Sequence, residues 1–224
     1  MKLDLSLAYL HRPPAQPTAE PWLLVLMHGV GSNEQDLFGL APAVPPQFHV
    51  LSLRAPNTLG RGSYAWFEFG IKPTGERVID EAQEAEARAQ VGQVVNAAAV
   101  QLGIPASRVV VGGFSQGGIM SLSLLLTQPR LLQAAMVLHS RLLPQVLPMV
   151  APPAGLEGKQ LWVSHGVQDP VIPLASAHGI RDFMAKLPVD MTYREYPGVH
   201  EIRPQELQES MVWLSGLTGP AAQA

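Results

Sequence analysis

The chain of 224 residues contains no cysteine. Structural disulfides, thiolate metal sites and a cysteine nucleophile are excluded, so any covalent catalysis must use another side chain. The absence also fits a reducing compartment. Charge is sparse as well. Only 15% of residues are Asp, Glu, Lys or Arg, and the formal net charge is -3, with a pI near 6.1. No basic excess argues for nucleic acid. Long apolar runs are missing too: no stretch reaches the roughly 18 residues that a membrane helix needs. The most apolar region, 131–150, is broken by Gln133, His139, Arg141, Pro144 and Pro148. Met1 to Leu5 opens like a secretion signal, but Asp4 interrupts it and no small-residue cleavage site follows. A cytoplasmic protein without a membrane span is expected.

What is present is apolar material for a sizeable core: 47% of the residues are hydrophobic. The length suits one domain over 1–224, with 218–224 expected as a frayed tail. Short continuous apolar runs, Trp22–Met27 and Phe48–Leu53 among them, have the composition of strands buried on both faces. They alternate with helical patterns. Ile79–Leu102 is rich in alanine, glutamate and glutamine and stops at Gly103-Ile104-Pro105. Further strands are expected near Asp4–His11, Arg108–Phe114, Ala134–Leu138, Leu161–His165 and Met191–Tyr196. Helices are expected over Glu34–Leu40, Gln116–Thr127, Leu174–Leu187 and Pro204–Leu217. The alternation predicts an α/β fold, with a mostly parallel central sheet and helices on both faces. Ala55–Phe69, with glycines and aromatics but no clean period, is read as a functional loop.

The most informative stretch is Val109-Val110-Val111-Gly112-Gly113-Phe114-Ser115-Gln116-Gly117-Gly118. It fits G-x-S-x-G, a sharp strand-to-helix turn that exposes a serine at the top of a sheet. The residues two before and two after that serine must be small, because strand and helix backbones pass close together. The Gln116 amide then sits at a helix N-terminus, where N–H groups are unpaired and favour negative charge.

Ligands in such sheets gather at the carboxyl ends of strands. Four of these ends carry notable groups: His28-Gly29-Val30-Gly31, Ser115, Asp169 and, past the last strand, His200. The order Ser115, Asp169, His200 is that of the α/β-hydrolase triad, and the gaps leave room for a helix and a strand between the parts. The expected roles are Ser115 as nucleophile, His200 as base and Asp169 as the group that orients His200. The oxyanion donors would be the amides of Val30 and Gln116. Tyr64, Trp66 and Phe67 are expected to line the substrate pocket, together with His139.

These segments together resemble the phospholipase/carboxylesterase family of α/β-hydrolases, which includes acyl-protein thioesterases and small bacterial carboxylesterases. The matching motifs are His28 to Leu37, Trp66-Phe67, Gly112 to Gly118, His165 to Pro173 and Gly198 to Ile202. The resemblance implies a compact hydrolase with no large cap domain, no cofactor and no metal, acting on a small carboxylic ester or thioester. Members are often dimers, so a homodimer enters as an expectation. The family also places an oxyanion amide at the position of Val30. One departure stands out. Where the family usually has Ser-Gly after the strand that follows the elbow helix, this chain has His139-Ser140-Arg141, which would alter pocket polarity or volume.

Other polar residues have plainer readings. His139 is a rival base, but it precedes Asp169 in the chain. His28 and His165 sit beside glycines and would hold turns or line the site. His11, His49 and His178 read as surface or loop residues. Asp36 and Asp80 read as helix-start residues, and Asp190 lies at the wrong end of its strand. No histidine pair has the H-x-x-x-H ligand spacing. A carboxylesterase for short- to medium-chain esters is therefore expected, with a thioesterase, lysophospholipase or perhydrolase as variants on the same triad. A non-catalytic binder or a peptidase is a more distant alternative.

Overall fold

The computed structural model describes residues 2–73 and 77–219. The chain begins with β1 (Tyr9–Arg12) and β2 (Trp22–Met27), then α1 (Gln35–Phe38) and β3 (Phe48–Leu53). Four short strands follow: β4 (Asn57–Gly60), β5 (Ser63–Ala65), β6 (Phe69–Ile71) and β7 (Arg77–Ile79). Next come α2 (Glu81–Leu102), β8 (Val109–Phe114), α3 (Gln116–Thr127) and β9 (Ala134–Leu138). The last part holds α4 (Pro153–Leu156), β10 (Lys159–Gly166), α5 (Leu174–Met184), β11 (Val189–Tyr196) and α6 (Pro204–Leu217).

The central sheet has seven strands in the order β1-β3-β2-β8-β9-β10-β11. Every pairing in it is parallel except that of the edge strand β1 with β3. This is the expected α/β arrangement, and its cause is visible in the strands. In β2, Leu23, Val25 and Met27 enter one core, while Trp22, Leu24 and Leu26 enter the other. Successive side chains of a strand point to opposite faces, so a strand covered on both sides needs apolar residues throughout. One core packs against α2, α3 and α5 through residues such as Val91, Leu122 and Ile180; the other packs against α1 and α6 through Leu37, Met211 and Leu214.

The long helix begins where its sequence suggests. The Asp80 side chain accepts the Gln83 amide at 3.0 Å, and the helix ends on Gly103 in the left-handed region, φ 68°. The stretch read as an irregular loop, Ala55–Phe69, departs from expectation. It contains the β4–β5 hairpin, and Phe69 opens β6 of the β6–β7 hairpin. Strands of three or four residues are too short for alternation to reveal them. His11 and His49 also differ from their reading as surface or loop residues. They lie on adjacent strands β1 and β3, stack with ring centres 5.2 Å apart, and share an Nε2···Nδ1 contact of 3.0 Å. Of the expected frayed tail, Thr218 is tied to Gln47 by a side-chain hydrogen bond, and residues 220–224 lie outside the described residues. Among the described residues, no helix is long and apolar enough to cross a membrane.

Candidate active site

The site sits where β8 turns into α3. Ser115 occupies φ 55° and ψ -115°, a conformation that costs energy for a residue with a side chain. The surrounding glycines explain how so tight a turn is built. A Cβ on Gly117 would lie 1.8 Å from the Met27 carbonyl oxygen, and one on Gly113 would lie 2.3 Å from the Gly117 backbone. The elbow is therefore wedged between β2 and its own helix. It is also braced from β9: Ser115 N–H donates to the Leu138 carbonyl at 2.9 Å, and Ser140 Oγ donates to the Ser115 carbonyl at 3.0 Å.

The turn after β2 carries Val30. It is shaped by Gly31 at φ 85° and pinned by Gly31 N–H to the Tyr64 carbonyl and Ser32 N–H to the Gly29 carbonyl. Val30 and Gln116 both border the small cavity that contains Ser115, of about 30 Å³. Gln116 is the first residue of α3, where N–H groups have no intrahelical acceptor. Its side chain has a separate task. Oε1 accepts the Trp66 amide at 2.8 Å and Nε2 donates to the Phe67 carbonyl at 2.6 Å, fixing the aromatic segment against the elbow.

The acid and histidine meet on the loops after β10 and β11. Asp169 Oδ1 accepts the amides of Val171 and Ile172 at 2.8 and 2.9 Å, and Oδ2 lies 2.6 Å from His200 Nδ1. Burial by itself would raise the Asp169 pKa. The His200 hydrogen bond and the two amides outweigh it and hold the carboxyl below the ordinary value. The His200 ring lies 4.7 Å, centre to centre, from Phe114, the residue before Ser115. Ser115, Asp169 and His200 thus lie past the carboxyl ends of β8, β10 and β11, on the same edge of the sheet.

His165, read as a turn or site residue, bonds the Ile172 carbonyl through Nε2 at 2.8 Å and so holds the acid loop. His28 plays a similar part under β3: its Nε2 accepts the Ala55 amide, and its carbonyl accepts the Trp66 indole N–H at 2.9 Å.

The expected pocket residues divide. Phe67 borders the Ser115 cavity, with Phe69, Ile79, Ile119, Arg141 and Ile172. Trp66 does not: it is fully buried in the core, because its indole N–H is used to anchor the β2 turn. Tyr64 is drawn away by Arg54, whose guanidinium lies 4.8 Å from the ring centre while it pairs with Glu34. His139 is 1% exposed and points into the acid side of the site, not into the cavity, because carboxylates hold both its ring nitrogens. One of those carboxylates, Glu206, is missing from the sequence reading. It lies at the third position of α6 and is fully buried. Its sequence signal, an acid in the first turn of a helix, is that of an ordinary cap.

His139, Asp169 and His200 each present a donor atom within 4.8 Å of the others, close enough for an ion to bridge. The hydrogen bonds to Asp169 account for this convergence without one. A much larger groove of about 920 Å³ lies between 41–46 and α6, but it is lined by none of the residues around Ser115.

A parallel sheet carrying a strained serine at a strand-to-helix elbow, with an Asp–His pair arriving from later strand ends, defines an α/β-hydrolase. The model of the phospholipase/carboxylesterase family matches residues 13–216, and the chain belongs to that family of serine hydrolases. Among relatives, it is 25% identical over 196 residues to MhqD of Bacillus subtilis, covering 85% of this chain and 91% of that one. It is 27% identical to acyl-protein thioesterase 1 of Cryptococcus neoformans over 95% of this chain and 98% of the other. A carboxylesterase from Bacillus cereus shares the fold, with a TM-score of 0.81 at 23% identity and 95% coverage of both chains.

Proposed function

We propose that the protein is a carboxylesterase that cleaves short- to medium-chain esters through an acyl-serine intermediate, with Ser115, His200 and Asp169 as its triad. The observation that carries this reading is the 2.6 Å contact of His200 Nδ1 with a buried, doubly amide-bonded Asp169, beside the strained elbow serine. A carboxylate at Nδ1 fixes the tautomer that leaves Nε2 free to act as base. Ser115 Oγ adds to the ester carbonyl carbon as His200 takes its proton. The negative charge that develops on the carbonyl oxygen is received by the amides of Val30 and Gln116. His200 returns the proton to the departing alcohol as the C–O bond breaks. Water then repeats the sequence on the acyl-serine, releasing the acid and restoring Ser115.

The acyl-length reading rests on the cavity, which is small and bounded by Phe67, Phe69, Ile79, Ile119 and Ile172. These apolar walls suit a short chain and offer no charged partner to a polar one except Arg141. A thioester would follow the same path with a thiolate leaving group, and the acyl-protein thioesterase relatives favour keeping it as the second reading.

The test is turnover of 4-nitrophenyl esters of graded acyl length by wild type and Ser115→Ala. Activity falling with chain length and absent from the variant is expected. A variant that retains wild-type turnover would overturn the triad, and a preference for long chains would overturn the length assignment.

A further inference from the structure

Besides Ser115, the described residues contain one other non-glycine residue with positive φ: His139, at φ 49°. Residues with a side chain are uncommon there, histidine less so than most. The strain sits at the end of β9 within a segment that already serves the nucleophile, since Leu138 and Ser140 on either side bond the Ser115 backbone. The kink sends the imidazole inward. Its Nδ1 lies 3.2 Å from Asp169 Oδ2, and its Nε2 lies 3.2 Å from Glu206 Oε2.

We propose that His139 is a positioning residue: its imidazole bridges two buried carboxylates, Asp169 of the triad and Glu206 of α6, and balances their charge. The inference rests on the triad reading above.

The surroundings of the ring define its protonation. Asp169 faces it from the loop after β10 and Glu206 from the first turn of α6. His165 stacks on it at 5.2 Å, His200 meets it edge-on at 5.8 Å, and Phe114 lies 5.4 Å away. The Gly166 N–H also approaches Nδ1, at a long 3.4 Å, a contact that an imidazolium gives up in favour of the Asp169 carboxylate at 3.2 Å. A neutral ring can donate to only one carboxylate, whereas an imidazolium donates to both. Burial opposes the charged ring, but the hydrogen bond and charge of Glu206, followed by those of Asp169, raise its pKa above the ordinary histidine value. His165 does not supply the missing charge, because burial lowers its pKa.

Glu206 has every reason to need this cation. It is fully buried, and among the described residues its one ion pair is with His139. Its remaining partners are neutral: the Ser164 hydroxyl at 2.7 Å and the Arg203 amide at 3.2 Å. An unpaired buried carboxylate would be costly. Asp169 Oδ2 in turn serves the imidazoles of His200 and His139, with His165 Nε2 farther off at 3.5 Å, and the His139 ring is tied through Glu206 to the helix that follows the His200 loop. The bridge therefore holds the same carboxylate oxygen that His200 uses. It also leaves one net negative charge, not two, to stabilise the His200 cation that forms during turnover.

The charge balance gives a test that separates this role from mere structural support. In His139→Asn, a side chain that tolerates left-handed backbone replaces the cation. Two uncompensated carboxylates then face His200, its cation forms more easily, and the acid limb of the kcat/KM profile moves up by about one pH unit. His139→Gly, free of backbone strain, should move it the same way and covers a failure of the first variant to fold. Adding Glu206→Gln to His139→Asn removes one negative charge and should bring the limb back toward wild type.

The profiles would be measured on 4-nitrophenyl acetate, with folding checked by circular dichroism and Ser115→Ala as the control. An upward shift in the single variants that the double variant reverses supports the bridge. A limb that stays in place in folded His139→Asn and His139→Gly, with Ser115→Ala inactive, overturns the bridge and leaves the triad standing. Turnover by Ser115→Ala would instead remove the reading on which the bridge rests.

Discussion

The ends of two neighbouring strands, β8 and β9, each force a side-chain-bearing residue into positive φ, Ser115 at 55° and His139 at 49°. They do so by different means. At the end of β8 the backbone itself is wedged: glycines at 113 and 117 leave no room for a Cβ, and the turn has no alternative path. At the end of β9 the segment carries no glycine of its own, although Gly118 of α3 makes room for the Ser140 side chain. Side-chain bonds to Asp169 and Glu206 compensate for it, and both partners come from distant parts of the chain. One strained residue is held by local sterics and the other by a buried polar network. The first kind of site is written in a few consecutive residues; the second is assembled only on folding.

If the β8 end is the chemical centre, its removal should have the largest effect. Ser115→Ala is expected to lower kcat by roughly 10⁴-fold or more while leaving the melting temperature near wild type, since the hydroxyl carries the chemistry and not the turn. Gly117→Ala sharpens the steric half of the comparison. A Cβ placed 1.8 Å from the Met27 carbonyl oxygen must push β2 and α3 apart, at a cost of about 4 kcal/mol in denaturant unfolding. A loss below about 1 kcal/mol would mean that the elbow is not wedged. Gln116→Ala keeps the backbone amide but removes the two buried hydrogen bonds to Trp66 and Phe67. A loss of about 2 kcal/mol is expected, and kcat/KM should fall as the aromatic wall loosens. Unchanged stability would show that the segment is held from elsewhere.

The polar half of the comparison can be sharpened against a third region, the His11–His49 stack. Among the described residues, His49 pairs with no carboxylate. Burial first, then the charges of His11 and Arg12, push its pKa down to about 4. His139, between two carboxylates, is pushed the other way. The signs for stability are therefore opposite. His49 is depressed, so its contribution is complete above the unfolded histidine value of about 6.5 and is lost as pH falls toward 4. His139 is raised, so its contribution is complete below about 6.5 and is lost as pH rises through its folded value. Because His49 is partly exposed, the effect at that position is discounted to about 1 kcal/mol. His49→Gln should flatten the loss of stability between pH 6.5 and pH 4 by that amount in urea titrations. An unchanged slope would contradict the desolvation argument.

This contrast also explains what could be read in advance. The seven-stranded sheet was legible because most of its strands are apolar on both faces, and β2, β3, α3, β9 and α6 fall on their expected bounds. The elbow was legible because close backbone approach demands glycine at fixed positions around Ser115. The chain order of Ser115, Asp169 and His200 followed from strand ends falling on one edge of a parallel sheet. The hairpins of β4 to β7 were not legible, since strands so short carry no period.

The pocket was read less well. Trp66 and Tyr64 have the composition of pocket residues, but whether an aromatic faces a cavity or anchors a turn depends on partners such as His28 and Arg54. Glu206 was invisible for a similar reason. An acid at the start of a helix looks like a cap, and indeed its carboxylate accepts the Arg203 amide. Only the packing of α6 against β10 shows that the same side chain reaches Ser164 and His139.

A working triad requires Ser115 to be an activated nucleophile, which a fluorophosphonate probe reads without any knowledge of the natural substrate. Intact-mass spectrometry of the labelled protein should show one adduct on wild type and none on Ser115→Ala. An unlabelled, folded wild type, or an adduct that survives in the variant, would contradict the assignment of Ser115, Asp169 and His200 as a working triad.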